Sequence, residues 1–469
     1  MTLSGTPPQA PDGTTTAAAA GPSSAAPATG SDDSFGLVTT PGRWIEGWDP
    51  ENRGQWLARG RRIARRNLGW SVYAEFLGFC VWAVWSVVVP QLNDAGFALS
   101  LDQQFWLIAL PSLVGATLRV PYTFAVPLVG GRNWTIISSL LLILPATALA
   151  VVVTRPETSF GVLLLCAALA GFGGGNFASS MTNISFFYPE AEKGKALGIN
   201  AAGGNLGTGI VQMLVPLVIT IGAGVHLERA GLVFVPLALI SAIAAWRGMD
   251  NLRGTTNDVG AFAVALRHPH TWIISFLYIG TFGSFIGYAG AFPTLLATQF
   301  PEAPTSLAFV GAIIGAVSRP LGGSLADKVG GARLTIVALL GLAVGALGAI
   351  AALRAESFVG FFAAFLLLFT CSGIGNGSTY RMIPAVFRSG VSAADLPVAR
   401  KAAAGCIGIA GAVGAFGGFF IPRGFAMSTN AVGTLEPALL VFVGAYLLMA
   451  ALTWTVYRRR GAALAAESI

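Results

Sequence analysis

Twelve predominantly apolar windows, each near 20 residues long, can be laid along this chain between Ser71 and Tyr457. That is the length a helix needs to cross a hydrocarbon core about 30 Å thick. The predicted spans are 71–92, 103–129, 133–153, 160–187, 195–222, 230–248, 271–297, 305–326, 333–353, 357–387, 401–425 and 434–457. With 54% hydrophobic and 10% charged residues among 469, and a mean hydropathy of +0.70, the chain is too apolar for a soluble domain. An all-α polytopic membrane protein is expected.

An even number of spans puts both ends of the chain on one side of the bilayer, and the basic residues choose the side. Of the 28 Lys and Arg, 22 fall on the side of the N-terminus, and four (Arg155, Arg229, Arg354 and Arg423) fall opposite. The positive-inside rule then predicts cytoplasmic termini. The net charge of +7 is mostly this topology signal. Binding to nucleic acid, which needs basic residues gathered on one soluble surface, is not expected.

Residues 1–42 are Ala, Thr, Pro, Ser and Gly with almost no large apolar side chains, which predicts a disordered cytoplasmic tail. They lack the basic-then-apolar layout of a cleaved signal peptide. Segment 43–70 carries Trp44, Trp48 and Trp56 ahead of Arg59, Arg61, Arg62, Arg65 and Arg66. It reads as a juxtamembrane helix lying at the lipid headgroups. A six-span half over 71–248, a cytoplasmic linker over 249–270, a second six-span half over 271–457 and a cytoplasmic tail over 458–469 complete the division.

The two remaining basic residues, Arg119 and Arg319, lie inside apolar spans, 200 residues apart, with no carboxylate nearby in sequence. A charged group at bilayer depth costs about 2.5–3.5 kcal/mol on insertion scales, so it normally faces an interior cavity and a partner. Two cations without acidic partners point to an anion that comes and goes. Gly115-Ala-Thr-Leu-Arg119 answers Gly315-Ala-Val-Ser-Arg319, and each is followed by a Gly-Gly turn, Gly130-Gly131 and Gly330-Gly331. Gly173-Gly174-Gly175-Asn176 likewise answers Gly373-Ile-Gly375-Asn376. A parallel repeat of two pseudo-symmetric six-helix halves is the plan of the major facilitator fold, with the binding site at the midplane between halves. The segment Gly323-Ser-Leu-Ala-Asp327-Lys328-Val-Gly330-Gly-Ala-Arg333 resembles the cytoplasmic gating loop of that superfamily. Asp327, Lys328 and Arg333 are therefore expected to act on gating without touching substrate.

Small residues crowd spans four, five, ten and eleven, where they let helix backbones approach closely. Asn176, Asn183, Asn200 and Asn205 differ from them, since an amide in hydrocarbon needs a polar partner. The stretch Gly171–Gly207, with Ser185-Phe-Phe-Tyr-Pro189 and Gly194-Lys-Ala-Leu-Gly198, resembles the first signature of the nitrate/nitrite porters of the major facilitator superfamily. Cys371-Ser-Gly-Ile-Gly-Asn-Gly-Ser-Thr-Tyr-Arg-Met-Ile-Pro384 resembles the second. The resemblance runs from about Trp48 to the last span.

This resemblance implies that Arg119 and Arg319 form the substrate-binding pair and that Asn205 also contacts the anion. It implies that Phe79, Phe177, Tyr278 and Phe282 line the pocket and that Gly174 leaves room beside it. Asn176 and Asn376 fit a binding role and a helix-contact role equally. Nitrate and nitrite are planar anions, and a guanidinium fork can donate two parallel hydrogen bonds to such a ligand. Apart from Glu75, near the cytoplasmic end of span one, the acidic residues cluster in termini and loops. Exchange of nitrate for nitrite is therefore expected ahead of nitrate/proton symport, by a monomer in the cell membrane that needs no cofactor. Enzyme chemistry on haem or iron–sulfur centres would require histidines or clustered cysteines within spans. Here His226, His268 and His270 lie in or beside loops. Cys80, Cys166, Cys371 and Cys406 lack metal-type spacing and read as small residues in helix contacts.

Overall fold

Backbone N–H and C=O groups cannot be left open in hydrocarbon, so each apolar window closes its hydrogen bonds on itself as a helix. The computed structural model describes residues 36–255, 259–392 and 394–459. Its twelve spans are Arg53–Leu92, Leu101–Val129, Gly131–Val152, Phe160–Phe187, Glu190–Ile219, Arg229–Gly248, Pro269–Gln299, Thr305–Val329, Gly331–Arg354, Phe358–Arg388, Val398–Val432 and Glu436–Tyr457.

The two halves repeat one packing scheme. Spans one and five, two and four, and three and six pair in the first half, as seven and eleven, eight and ten, and nine and twelve do in the second. Span two also packs on eleven, five on eight and one on seven, which joins the halves along a central seam. The turns that end spans two and eight are conformational copies as well. Gly130 and Gly330 stand at φ of 94° and 92°, a region that glycine enters without steric cost.

Glycines set how closely the paired helices approach. A Cβ on Gly174 of span four would lie 2.9 Å from the Cα of Gly115 of span two. In the second half, a Cβ on Gly322 of span eight would lie 2.6 Å from the Cα of Ile374 of span ten. The duplicated glycine text is thus a pair of helix seams.

The N-terminal segment departs from the sequence expectation. Within the tail read as disordered, Val38–Thr40 is a strand (β1), and Trp44–Glu46 (β2) pairs with it antiparallel. Asn251–Leu252 (β3), at the end of span six, pairs parallel with β2. Residues 1–35 of the predicted tail, and 460–469 at the other end, lie outside the described residues. Nor is 43–70 a helix at the headgroups throughout, because helix begins at Arg53 and then runs without a break into span one. The tryptophans find partners in protein. Trp48 donates to the Phe186 carbonyl at 3.1 Å, and buried Trp56 donates to Glu192 at 3.1 Å. The Arg43 guanidinium closes the arrangement on Asp250 Oδ1 at 2.7 Å, and Arg66 reaches Asp250 Oδ2 at 2.5 Å. Asp250 is nearly fully buried and accepts from both arginines, so charge-assisted hydrogen bonds hold this cap on the end of the bundle.

The helix seams give a paired test. Gly322→Ala pushes a methyl into the backbone of span ten and is expected to destabilise the protein by about 1–3 kcal/mol, as overpacking does. Gly323→Ala, where a Cβ would meet nothing within 4 Å, is expected to stay within about 0.5 kcal/mol of the parent. Thermal unfolding of both variants in detergent separates the two outcomes.

Candidate functional site

Span two carries Arg119 and span eight carries Arg319 into the interior, where they are 1% and 6% exposed. Both side chains converge on one ring. The Arg119 Cζ lies 4.4 Å from the Phe177 centroid, and the Arg319 Cζ lies 5.8 Å from it. Phe177 belongs to span four of the first half, so a single aromatic side chain is shared by cations from both halves.

Other rings extend this platform. Phe282 stacks on Phe177 at 6.2 Å and 27°, and Tyr278 stacks on Phe282 at 5.2 Å and 20°. Phe79 meets Phe177 edge-on at 6.2 Å. Directly after Tyr278, span seven widens into a π turn, Ile279–Gly283, which carries Phe282. Such turns are rare and occur often at functional sites. Each guanidinium faces π density, which favours a cation in a desolvated place.

Hydrogen bonds fix the arginines only in part. Arg119 donates Nη1–H to the Gly411 carbonyl of span eleven at 2.5 Å and Nε–H to the Gly174 carbonyl at 3.3 Å. Arg319 donates to the Tyr278 hydroxyl at 3.5 Å, and that hydroxyl donates to Asn376 Oδ1 at 2.6 Å. Arg119 Nη2 and Arg319 Nη1 are buried without a hydrogen-bond partner. Among the described residues, no carboxylate forms an ion pair with either arginine. A buried donor left open costs about 1–3 kcal/mol, and more when charged. Each arginine thus keeps a donor that could take an acceptor.

Arg119, Phe177 and Tyr380 line a cavity of about 550 Å³ that runs to the face carrying the described termini, past Lys193, Arg388 and Arg400. The opposite face is shut across the seam. There Arg423 of span eleven donates to Asp102 of span two at 2.8 Å and lies 4.2 Å over the Trp106 ring. Gln212 of span five donates to the Ala289 carbonyl of span seven at 2.6 Å.

The sequence-predicted residues divide into groups. Arg119, Arg319, Phe79, Phe177, Tyr278, Phe282 and Gly174 meet at one place. Asn205 is buried on span five with both amide atoms unpartnered, and Asn176 lies against Gly78 in the seam of spans one and four, also unpartnered. Asp327, Lys328 and Arg333 are exposed on the termini face, where Asp327 pairs with Arg381 of span ten. Sequence reasoning did not find Arg381 in that pairing, although it stands inside the second signature.

It also missed Trp82, whose ring lies 5.8 Å from the Arg119 Cζ, Tyr380, whose ring lies 5.6 Å from the Arg319 Cζ, and the Gly411 carbonyl. Tyr380 stands inside the second signature and Trp82 lies on span one, outside both, while a backbone carbonyl has no sequence mark. Glu75 is fully buried inside the first half, hydrogen-bonded by Ser180 and Asn200. The sequence had placed it at the margin of span one.

Residues 73–422 match the profile of the Major Facilitator Superfamily. The chain is 42% identical over 447 residues to a nitrate/nitrite transporter, NarU, of Escherichia coli, covering 89% of this chain and 96% of that protein. It is 34% identical over 453 residues to a probable nitrate/nitrite antiporter, NarK2, of Thermus thermophilus, covering 91% and 99%. A crystal structure of a D-xylose-proton symporter superposes with a TM-score of 0.63 at 17% identity, over 84% of this chain and 97% of that one. That last likeness concerns the fold alone. Profile, relatives and twelve paired spans agree: the chain belongs to the nitrate/nitrite porter family of the Major Facilitator Superfamily.

Proposed function

We propose that this protein carries nitrate and nitrite across the cell membrane, exchanging one for the other by alternating access around Arg119 and Arg319. The observation that carries this reading is the pair of buried guanidinium groups from opposite halves, each with an open N–H, sharing the Phe177 ring. A planar mononegative anion matches the fork of a guanidinium, and flanking aromatic rings favour a flat ligand over a tetrahedral one. The names of the relatives from Escherichia coli and Thermus thermophilus agree with that substrate class. In this reading Asn205 and Asn176 offer further open amide groups, while Phe79, Tyr278 and Phe282 wall the site.

The cycle follows from charge. With the anion bound, the two cations are bridged; without it, they face each other as the halves close. The empty carrier then resists reorientation and the loaded carrier moves, with the halves rocking about a fixed site. The charge distribution of the sequence supports a cytoplasmic termini face, and on that reading the described conformation is open inward. Outward opening must break Asp102–Arg423 and the Gln212 bond to span seven. On the inner face Asp327, with its partner Arg381, and Lys328 and Arg333 serve gating. One chain holds both arginines, which supports a monomer as the transport unit.

A second reading, nitrate/proton symport, gains support from the burial of Glu75. Counterflow decides between them. Liposomes loaded with nitrite are expected to take up labelled nitrate without a pH gradient, and anion-free liposomes are expected to take up little even when the exterior is acidified. Uptake driven by acid alone would favour symport.

The arginines are tested by charge-conserving change. Arg119→Lys and Arg319→Lys keep a cation but remove the planar fork, which is expected to weaken nitrate binding by about ten- to a hundredfold. Titration calorimetry on folded, monodisperse variants measures it. Near-parental affinity in both variants would rule out guanidinium recognition.

A further inference from the structure

Glu75 stands one helical turn before Phe79 on span one and is fully buried. Its Oε2 accepts from the Ser180 hydroxyl and from Asn200 Nδ2, the latter at 2.5 Å, while Oε1 has no hydrogen-bond partner. Asn200 Oδ1 is equally unpartnered. The wall behind is tight, since a Cβ on Gly204 would lie 2.8 Å from the Glu75 Cγ. Among the described residues, no Lys or Arg forms an ion pair with this carboxylate. Phe79, one turn along span one, meets the Phe177 ring that both guanidinium groups share, which links Glu75 to Arg119 and Arg319 through one ring contact, whereas spans four and five bring only the neutral Ser180 and Asn200.

This arrangement is unusual for a structural carboxylate. Neutral dipoles hold one oxygen, nothing holds the other, and the compensating cations are the same two that would bind an anion. An ionised Glu75 and a bound anion therefore draw on one pair of positive charges and repel each other across the Phe79–Phe177 contact. Protonation of Glu75 removes the repulsion.

Resting on the anion-site reading above, we infer that Glu75 is a proton-binding site linked to anion occupancy: protonation tightens nitrate binding, and nitrate binding draws a proton onto Glu75. The linkage is reciprocal by thermodynamic necessity. Its sign is fixed by charge. Affinity is highest at low pH, where Glu75 is neutral, and falls as pH rises until the carboxylate is fully ionised. With Glu75 ionised, two arginines, one carboxylate and one nitrate sum to zero, so the loaded site stays electrically balanced even at high pH. The proton thus adjusts affinity without being required for exchange.

The experiment is titration calorimetry of purified protein with nitrate, which stays anionic throughout, from about pH 5.5 to about pH 8.5. Each pH is repeated in two buffers of different ionisation enthalpy, so that proton uptake is read directly. The parent is expected to lose about tenfold in affinity across this range, a typical size for coupled sites, and to take up a fraction of a proton on binding. Glu75→Gln is expected to bind with the parent's acidic-limit affinity at every pH and to take up none. Glu75→Asp, which keeps a carboxylate, is expected to retain a slope.

An unchanged pH slope in Glu75→Gln overturns the inference, and so does parental binding that is flat with pH and free of proton uptake. Those parental measurements stand even if a variant does not fold. In each of these cases nitrate still binds and the anion site survives. Absence of nitrate binding by the parent at every pH overturns the inference together with the reading on which it rests.

Discussion

Two permanent charges held in an apolar interior are the constraint that organises this molecule. A guanidinium cannot discharge by losing its proton, so the surrounding structure has to supply acceptors, polarisable faces or an exchangeable counterion. This protein supplies the first two incompletely. Arg119 receives two backbone carbonyls and three aromatic faces, Arg319 receives one hydroxyl and two rings, and each keeps an open donor. The proposed function rests on this incompleteness, because a fully satisfied arginine would be a structural element with nothing left to offer.

The glycine seams are the means to this end. A carbonyl can face a guanidinium only where no neighbouring side chain intervenes, and Gly174 and Gly411 are such places on spans four and eleven. Close helix approach in each half builds rigid walls, while contact between the halves combines packing of spans two on eleven, five on eight and one on seven with polar links such as Asp102–Arg423 and Gln212 to Ala289. Rigid halves joined by links that can be broken suit a rocking motion. Phe177 belongs to both descriptions, being packed within one half and presented to the other.

The legible part of this architecture was the part written in residue type and spacing. A lone arginine in an apolar run is rare enough to announce itself twice, and glycine clusters repeated at one offset reveal a duplicated helix seam. The unread part depends on partners far away in the chain. Strands of three residues at Val38–Thr40 and Trp44–Glu46 carry no periodic signal of their own, and their stability comes from Asp250 and Asn251, some two hundred residues on. Asp102 and Arg423 stand 321 residues apart, and their pairing exists only because the fold brings spans two and eleven together. The Gly411 carbonyl and the π turn of span seven are properties of backbone, to which side-chain patterns are nearly blind. Glu75 was visible as a residue but not as a buried, hydrogen-bonded one, because its partners Ser180 and Asn200 lie 105 and 125 residues further on.

The small sheet on the termini face bears on where the two halves can hinge. Parallel pairing of β2 with β3, reinforced by the Arg43 fork on Asp250, fastens the first residues after span six to the first half. The covalent bridge between halves is consequently shorter than the interval between spans six and seven suggests. Whatever displacement accompanies reorientation has to be absorbed on the C-terminal side of Leu252, and the strand-bound stub travels with the first half as part of its body.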